Sequence, residues 1–229
     1  RDISAEKRKN ILERIFFHDV LNTAGGIQGL VSMIADESES SPDEVRMLLS
    51  LTERLIDEIK LQRDLLAAEK DEYLVNPIKF DCRKFLVEMR QLYIGTQIAK
   101  GKNIVIDADY DVNVYTDKLL LSRAIGNLMK NALEASSAGE TVTVSMIELN
   151  ETISFSVNNP KVIPQKIQSQ MFNRSFTTKS EPGHGLGTYS VKLFTEKYLG
   201  GKVTLNSYVP EGTTIYVEIP KALPVVNHI

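Results

Sequence analysis

A histidine near the start of the chain has the neighbours that nucleophilic chemistry requires. His18 is followed directly by Asp19. An imidazole can attack through one ring nitrogen while a carboxylate holds the proton on the other nitrogen. A single surface histidine is most often inert, however. A catalytic role for His18 and Asp19 therefore depends on what the rest of the chain supplies.

The segment that carries His18 has the pattern of a long amphipathic helix. Residues 4–36 contain no proline and place apolar side chains at helical spacing: Phe16, Val20, Ala24, Ile27, Val31 and Ile34. His18, Asn22, Gly25 and Gly29 fall within about 40° of the opposite face. We therefore expect His18 to be exposed, beside a surface that the two glycines leave smooth.

A second amphipathic helix follows a break at residues 37–43. Ser41 before Pro42 is a plausible start for this helix, which extends to about Glu72. Its apolar stripe consists of Val45, Leu48, Leu49, Thr52, Leu55, Ile56 and Ile59. Two such helices cannot bury both stripes alone. Residues 1–75 therefore predict a helical hairpin that dimerises as a four-helix bundle.

From Asn76-Pro77 onward the pattern changes to mixed helices and strands. We predict strands near 78–80, 104–106, 112–115, 141–147, 152–157, 202–207 and 213–219. We predict helices over 83–100, from Asp117 to about Ser136, and from about 186 to 198, with an irregular segment at 158–184. Residues 76–229 thus predict a second domain, an α+β sandwich.

Two groups of residues in this second domain have types suited to an anionic ligand. Glycines in Gly183-His184-Gly185-Leu186-Gly187 precede a helix, where free backbone amides could face a phosphate. Asn127 and Asn131 lie four residues apart on one helix, so that both amides could offer oxygen to a cation such as Mg²⁺. A helix-start turn and a solvated helix face are the ordinary alternatives.

Taken together and in order, these motifs resemble the sensor histidine kinases of two-component systems. The resemblance is carried by His18-Asp19-Val20-Leu21-Asn22, Asn127-Leu128-Met129-Lys130-Asn131-Ala132, residues 171–179, Gly183 to Gly187, and Gly212-Thr213. It covers nearly the whole chain. It implies a Bergerat-type ATP-binding fold shared with gyrase, Hsp90 and MutL, with ATP and Mg²⁺ as cofactors.

The resemblance also assigns roles to residues. His18 would be the phosphorylated residue, Asn22 would align water for a reverse phosphatase reaction, and Asn131 would ligate Mg²⁺. The remaining candidate ATP contacts are Asn127, Asn158, Phe176, Thr178, Lys179, Gly183, Gly185, Leu186, Gly187 and Thr213. The implied partners are a second copy of the chain, through the hairpin, and the receiver domain of a response regulator.

The first glycine box departs from the family pattern, which reads Asp-x-Gly-x-Gly before Ile-Pro. Counting back from Ile163-Pro164 places Asn158 at the aspartate position and Pro160 and Val162 at the glycine positions. We favour a working kinase with an altered adenine pocket. A histidine phosphotransferase or phosphatase with an inactive ATP-binding domain, and a non-enzymatic scaffold, remain alternatives.

Composition narrows the class of partner and the compartment. Basic and acidic residues number 27 and 30, for a net charge of −3, which argues against nucleic acid as a ligand. Cys82 is the single cysteine, which fits a reducing compartment. No apolar run approaches the roughly 20 residues of a membrane span. We expect a cytoplasmic protein, attached to a membrane only if an upstream segment provides the anchor.

Overall fold

The computed structural model describes residues 15, 19–20, 22–23, 25–27, 29–30, 59, 61–174 and 186–223. The chain divides into two compact units, with a boundary between Tyr73 and Leu74. Every described residue from 15 to 69 is helical. His18 and the break predicted at 37–43 lie outside the described residues. The helical hairpin and its dimerisation therefore stay predictions.

On the first helical segment, the structure describes three residues of the face that the sequence predicts to be exposed. Asn22, Gly25 and Gly29 are exposed, whereas Thr23 and Leu30 are buried. A Cβ atom added at either glycine would meet no atom within 4 Å. These three residues thus have the exposure that the helical pattern predicts, and the glycines leave open surface.

The described residues of the second unit form seven strands in two sheets. The strands are β1 Pro77–Asp81, β2 Asn103–Asp107, β3 Asn113–Asp117, β4 Thr141–Glu148, β5 Thr152–Asn159, β6 Lys202–Tyr208 and β7 Gly212–Pro220. The strands β1 and β3 form an antiparallel pair. The larger sheet has the order β2-β4-β5-β7-β6, in which only the β2–β4 pair is parallel.

Helices cover one face of the larger sheet. They are α1 Cys82–Ile94, α2 Lys118–Ala135 and α4 Gly187–Leu193, and α4 continues as a π-helical turn over Phe194–Tyr198. A short helix, α3 Gln165–Gln168, precedes α4 in the chain. The core between helices and sheet includes Phe85 of α1 and Phe155 of β5, whose rings meet edge to face at 6.2 Å. The predicted α+β sandwich is confirmed.

The start of α2 agrees with its sequence signal. Asp117 is 2% exposed, and its Oδ1 accepts a hydrogen bond from the backbone N–H of Leu120 at 3.0 Å. Its Oδ2 accepts a second one from Asn76 N–H at 2.9 Å. A buried carboxylate that accepts two backbone hydrogen bonds fixes where α2 begins. The direction of α2 in turn positions the two asparagines further along it.

The helix α1 is shorter than predicted. It ends at Ile94 rather than near residue 100, because Gly95 closes it and Thr96 adopts an extended conformation with ψ of 155°. The Thr96 hydroxyl donates to the carbonyl oxygen of Tyr93 at 2.7 Å. A separate 3₁₀ turn then covers Gln97–Ala99.

The single cysteine is buried at the first position of α1. Burial, and then the charge of Asp81, raise the pKa of the Cys82 thiol to about 12. The thiolate is the reactive form, so at pH 8 we expect a disulfide reagent to modify the folded chain about 1000-fold more slowly than the unfolded chain. The comparison of thiol reactivity with and without denaturant checks this, and rates within tenfold of each other would contradict it.

Within the part of the chain that the structure describes, no helix is both long enough and apolar enough to cross a bilayer.

Candidate functional site

The two asparagines of α2 lie beside the start of α4. A Cβ atom added at Gly187 would be 3.9 Å from Asn131 Nδ2 and 4.0 Å from Asn127 Cγ, so the backbone of Gly187 closely approaches both side chains. Residues 56 or more positions apart in sequence are thus neighbours. The structure therefore brings together Asn127, Asn131 and Gly187, three of the residues that the sequence predicts for a phosphate and cation site.

Asn127 has a structural partner in this arrangement. Its Nδ2 donates to the hydroxyl oxygen of Ser190 at 2.9 Å, and the Ser190 hydroxyl donates to the carbonyl oxygen of Gly187 at 2.7 Å. This chain of hydrogen bonds, which we call the α2–α4 link, ties the glycine-containing helix start to α2. Asn127 thereby positions Gly187, and its amide N–H is engaged within the protein.

Asn131 differs from Asn127 in this respect. It is partly exposed, and among the described residues its side chain makes no hydrogen bond. Its amide oxygen is therefore available to a hard cation at the place where the sequence predicts Mg²⁺. This contrast separates a positioning asparagine from an asparagine that is open to a ligand.

The contrast predicts different results for the two alanine variants. Asn127→Ala is expected to lower the free energy of unfolding by about 1 kcal/mol, the value of one hydrogen bond. Ser190→Ala should cost about as much, and the double variant should cost little more than either single one, because the same link is broken. Asn131→Ala should change stability by less than about 0.5 kcal/mol. Denaturant titration of the four variants measures this, and full additivity of Asn127→Ala and Ser190→Ala would refute the link.

An apolar cleft lies next to the asparagines, between α2 and the sheet. It has a cavity volume of about 80 Å³ and is lined by Leu128, Asn131, Ala132 and Ala135 of α2, by Val157 and Asn159 of β5, by Thr213 and Ile215 of β7, and by Lys161, Ile163 and Met171. A flat apolar ring would fit this composition, with polar groups available at Asn159 and Asn131.

The β5 residue that faces the cleft is Asn159, not Asn158. Side chains alternate along β5, and Ile153, Phe155, Val157 and Asn159 point to the helices. Asn158 points to the other face, where its Nδ2 donates to the carbonyl oxygens of Glu211 and Thr213 at 3.1 and 3.2 Å and to the Thr214 hydroxyl at 2.9 Å. The structure therefore does not bring Asn158 to the cleft. The alternation of apolar residues in β5 is the sequence signal that would have identified Asn159.

The Gly212-Thr213 pair holds the segment that follows β5. The Thr213 hydroxyl is buried, donates to the carbonyl oxygen of Lys161 at 2.6 Å and shares a hydrogen bond with the Ser207 hydroxyl at 2.7 Å. The Ser207 hydroxyl also accepts from the N–H of Ile163 at 2.8 Å. Thr213 lines the cleft, but its hydroxyl is engaged in shaping the loop that forms the cleft wall.

Lys161, one of the residues that line the cleft, forms an ion pair with Glu140. Lys161 Nζ lies 3.1 Å from Glu140 Oε1. The pKa of Glu140 is lowered, first by the hydrogen bond from the backbone N–H of Ser137 and then by Lys161. Glu140 therefore stays ionised well below neutral pH. The Lys161 residue lines the cleft, and its ammonium group is engaged by the Glu140 carboxylate.

The remaining predicted ligand contacts occupy the segment between Arg174 and Leu186. Phe176, Thr178, Lys179, Gly183 and Gly185 lie outside the described residues. Leu186 is buried just before α4. After it, the Thr188 hydroxyl donates to the carbonyl oxygen of Met171. This bond joins α4 to Met171, which lines the cleft.

Comparisons with known proteins agree with this geometry. The profile of the family described as histidine kinase-, DNA gyrase B-, and HSP90-like ATPases matches residues 116–223. Sporulation kinase B of Bacillus subtilis is 25% identical over 212 residues, which cover 90% of this chain and 48% of that protein. The chain spans about a quarter of the length of two other curated relatives.

Solved structures give the same result. The catalytic domain of the histidine kinase ThkA superposes with a TM-score of 0.58 at 25% identity, covering 64% of this chain and 97% of that domain. ThkA in complex with the response regulator protein TrrA superposes with a TM-score of 0.64 at 20% identity, covering 95% of this chain and 64% of that one. The second likeness is one of fold.

Proposed function

We propose, from the premise that the chain is a sensor histidine kinase with an ATPase domain of the histidine kinase-, DNA gyrase B- and HSP90-like family at residues 116–223, that it transfers the γ-phosphoryl group of ATP to His18. The observation that carries the proposal is the position of Asn131 at an apolar cleft, with Gly187 next to Asn131. An amide oxygen, a glycine-containing helix start and an apolar slot are what a base, a triphosphate and a cation require.

The residues of the second unit would bind and orient the nucleotide. The base would lie in the cleft against Val157 and Ile215, with Asn159 at its polar edge. Asn131 would hold Mg²⁺ through its amide oxygen, and a bound Mg²⁺ would offset negative charge on the phosphates. The α2–α4 link would keep Gly187 in place, and Lys179 would reach the γ-phosphate from the segment before α4.

His18 and its neighbours would carry the transfer itself. One imidazole nitrogen of His18 would bond to the γ-phosphorus as the bond to the bridging oxygen breaks and ADP leaves. The Asp19 carboxylate would hold the proton on the other ring nitrogen, so that the attacking one keeps its lone pair. Asn22, one helical turn later and exposed, would align water for the reverse reaction.

Two protein partners complete the proposal. ThkA is known in complex with a response regulator. We infer that an aspartate of such a receiver domain takes the phosphoryl group here, at the open surface beside Gly25 and Gly29. Residues 1–75 would form the hairpin through which two copies dimerise, and residues 76–229 would form the ATP-binding domain. We place these reactions in the cytoplasm, where ATP is available.

Labelled ATP tests the kinase proposal directly. With Mg²⁺ and γ-labelled ATP, the protein should acquire label that is stable to alkali and lost in acid, as phosphohistidine is. Lack of any such label over a full range of Mg²⁺ concentrations would sink the proposal.

A second candidate is a histidine phosphotransferase that takes its phosphoryl group from a phosphorylated regulator. The observation that favours it is the loop after β5, where Pro160 and Val162 stand at the positions that counting back from Ile163-Pro164 assigns to the two glycines of the family's box. ATP titration separates the two. Absence of ATP binding, together with transfer from a phosphorylated regulator to His18, would favour this candidate over the kinase.

A further inference from the structure

We propose that Asn159 relaxes the choice of purine base, so that the cleft accepts 6-oxopurine nucleoside triphosphates alongside ATP. This inference rests on the proposed nucleotide-binding function of the same cleft. It concerns which group at position 6 of the purine the protein tolerates.

The position of Asn159 makes its amide the group that would contact the edge of the purine base. It is the last inward residue of β5, is 6% exposed and lines the cleft beside the apolar Val157. A purine in the slot would therefore meet apolar side chains on its faces and an amide at its edge. In the described part of the chain, the Asn159 side chain has no hydrogen-bond partner. No neighbour fixes which way its amide points.

An amide and a carboxylate select different base edges. A carboxylate only accepts hydrogen bonds, so it favours the 6-amino group of adenine and repels the 6-oxo group of guanine or hypoxanthine. An amide presents both an acceptor and a donor, and rotation by 180° exchanges them. Asn159 can therefore accept from an amino group or donate to an oxo group at the same place.

The rest of the described lining adds no group that would restore the discrimination. None of its residues carries a carboxylate. The one charged residue is Lys161, and its ammonium group is paired with Glu140 at 3.1 Å. The Thr213 hydroxyl is bound to the carbonyl oxygen of Lys161 and is not directed to the base. The described lining thus presents no carboxylate that would oppose a 6-oxo group.

Calorimetric titration of the whole chain with Mg-ATP and Mg-ITP tests the proposal. ITP replaces the 6-amino group with an oxo group and lacks the extra 2-amino group of GTP, so that size does not confuse the result. We expect the dissociation constant for ITP to exceed that for ATP by less than about tenfold. Asn159→Asp should raise this ratio by at least about tenfold. Asn206→Asp, the same change on an exposed residue of β6, should leave the ratio unaltered.

Each outcome has a defined meaning. If the wild-type chain binds ATP but the ITP ratio exceeds tenfold, or if Asn159→Asp does not raise the ratio, the inference is overturned and the nucleotide-binding function stands. If the chain binds neither triphosphate, the proposed function itself fails. Should Asn159→Asp not fold, Asn159→Ala replaces it. That variant should weaken ATP and ITP by similar factors, and unchanged affinities would overturn the role of Asn159.

Discussion

Replacement of His18 by alanine is expected to abolish phosphorylation of the protein by ATP, a loss of at least about 1000-fold in label. The methyl group of alanine offers no lone pair, so no bond to the γ-phosphorus can form. Binding of ATP should be unaffected, because the cleft and Asn131 belong to the second unit. Acid-labile label and ATP affinity, measured on the same preparation, check both halves of the prediction.

A matched control is available because the chain contains three histidines. His228→Ala removes an imidazole near the end of the chain and should leave both label and affinity at wild-type levels. Label that persists in His18→Ala but disappears in His228→Ala would show that His228, and not His18, is the phosphorylated residue. Loss of ATP binding in His18→Ala would mean that the substitution disturbs the fold. The circular dichroism spectrum of the variant would then show whether it is folded like the wild type.

The fold of the second unit could be predicted from sequence because its strongest signals are local. Asp117 is a helix-capping residue type, and it caps α2 as the sequence indicates. Alternation of apolar and polar residues marked β4 and β5, and the register between them follows from the same pattern. The error at the end of α1 was also local, since Gly95 and Thr96 are both helix-ending residue types.

The details of the cleft depend on relations that no local pattern contains. Asn127 binds Ser190, which lies 63 residues further along the chain, so its positioning role is visible only in the fold. Counting back from Ile163-Pro164 selected Asn158 because it assumed a loop of family length. The alternation of β5 selects Asn159, which leaves one residue fewer between the inward position and Ile163-Pro164. Which residues of a strand point inward is determined by the alternation of its buried side chains. This alternation therefore identifies the inward residue of β5 more reliably than counting back along the loop does.

The second large effect is expected at Gly212, where alanine should lower the free energy of unfolding by about 3 to 4 kcal/mol. Two causes add. Gly212 has φ of +79°, a conformation that side chains disfavour, and its added Cβ atom would overlap the carbonyl oxygen of Asn159 and lie 2.7 Å from Pro160 Cα. Relief of that overlap must displace the end of β5. We therefore also expect weaker ATP binding, because Asn159 forms the edge of the cleft.

Alanine substitutions at two other glycines measure the backbone strain and the crowding separately. Gly139 has φ of +83° with nothing within 4 Å of an added Cβ atom, so Gly139→Ala should cost about 1 kcal/mol from backbone strain alone. Gly201 has no such φ, but its added Cβ atom would overlap the carbonyl oxygen of Glu218, so Gly201→Ala should cost about 2 kcal/mol from crowding. Urea denaturation gives all three values, and ATP titration of the folded variants should show a loss only for Gly212→Ala. If Gly212→Ala were no more destabilising than Gly139→Ala, the end of β5 would be free to move, and the close packing of Gly212 would not be what holds Asn159 at the cleft.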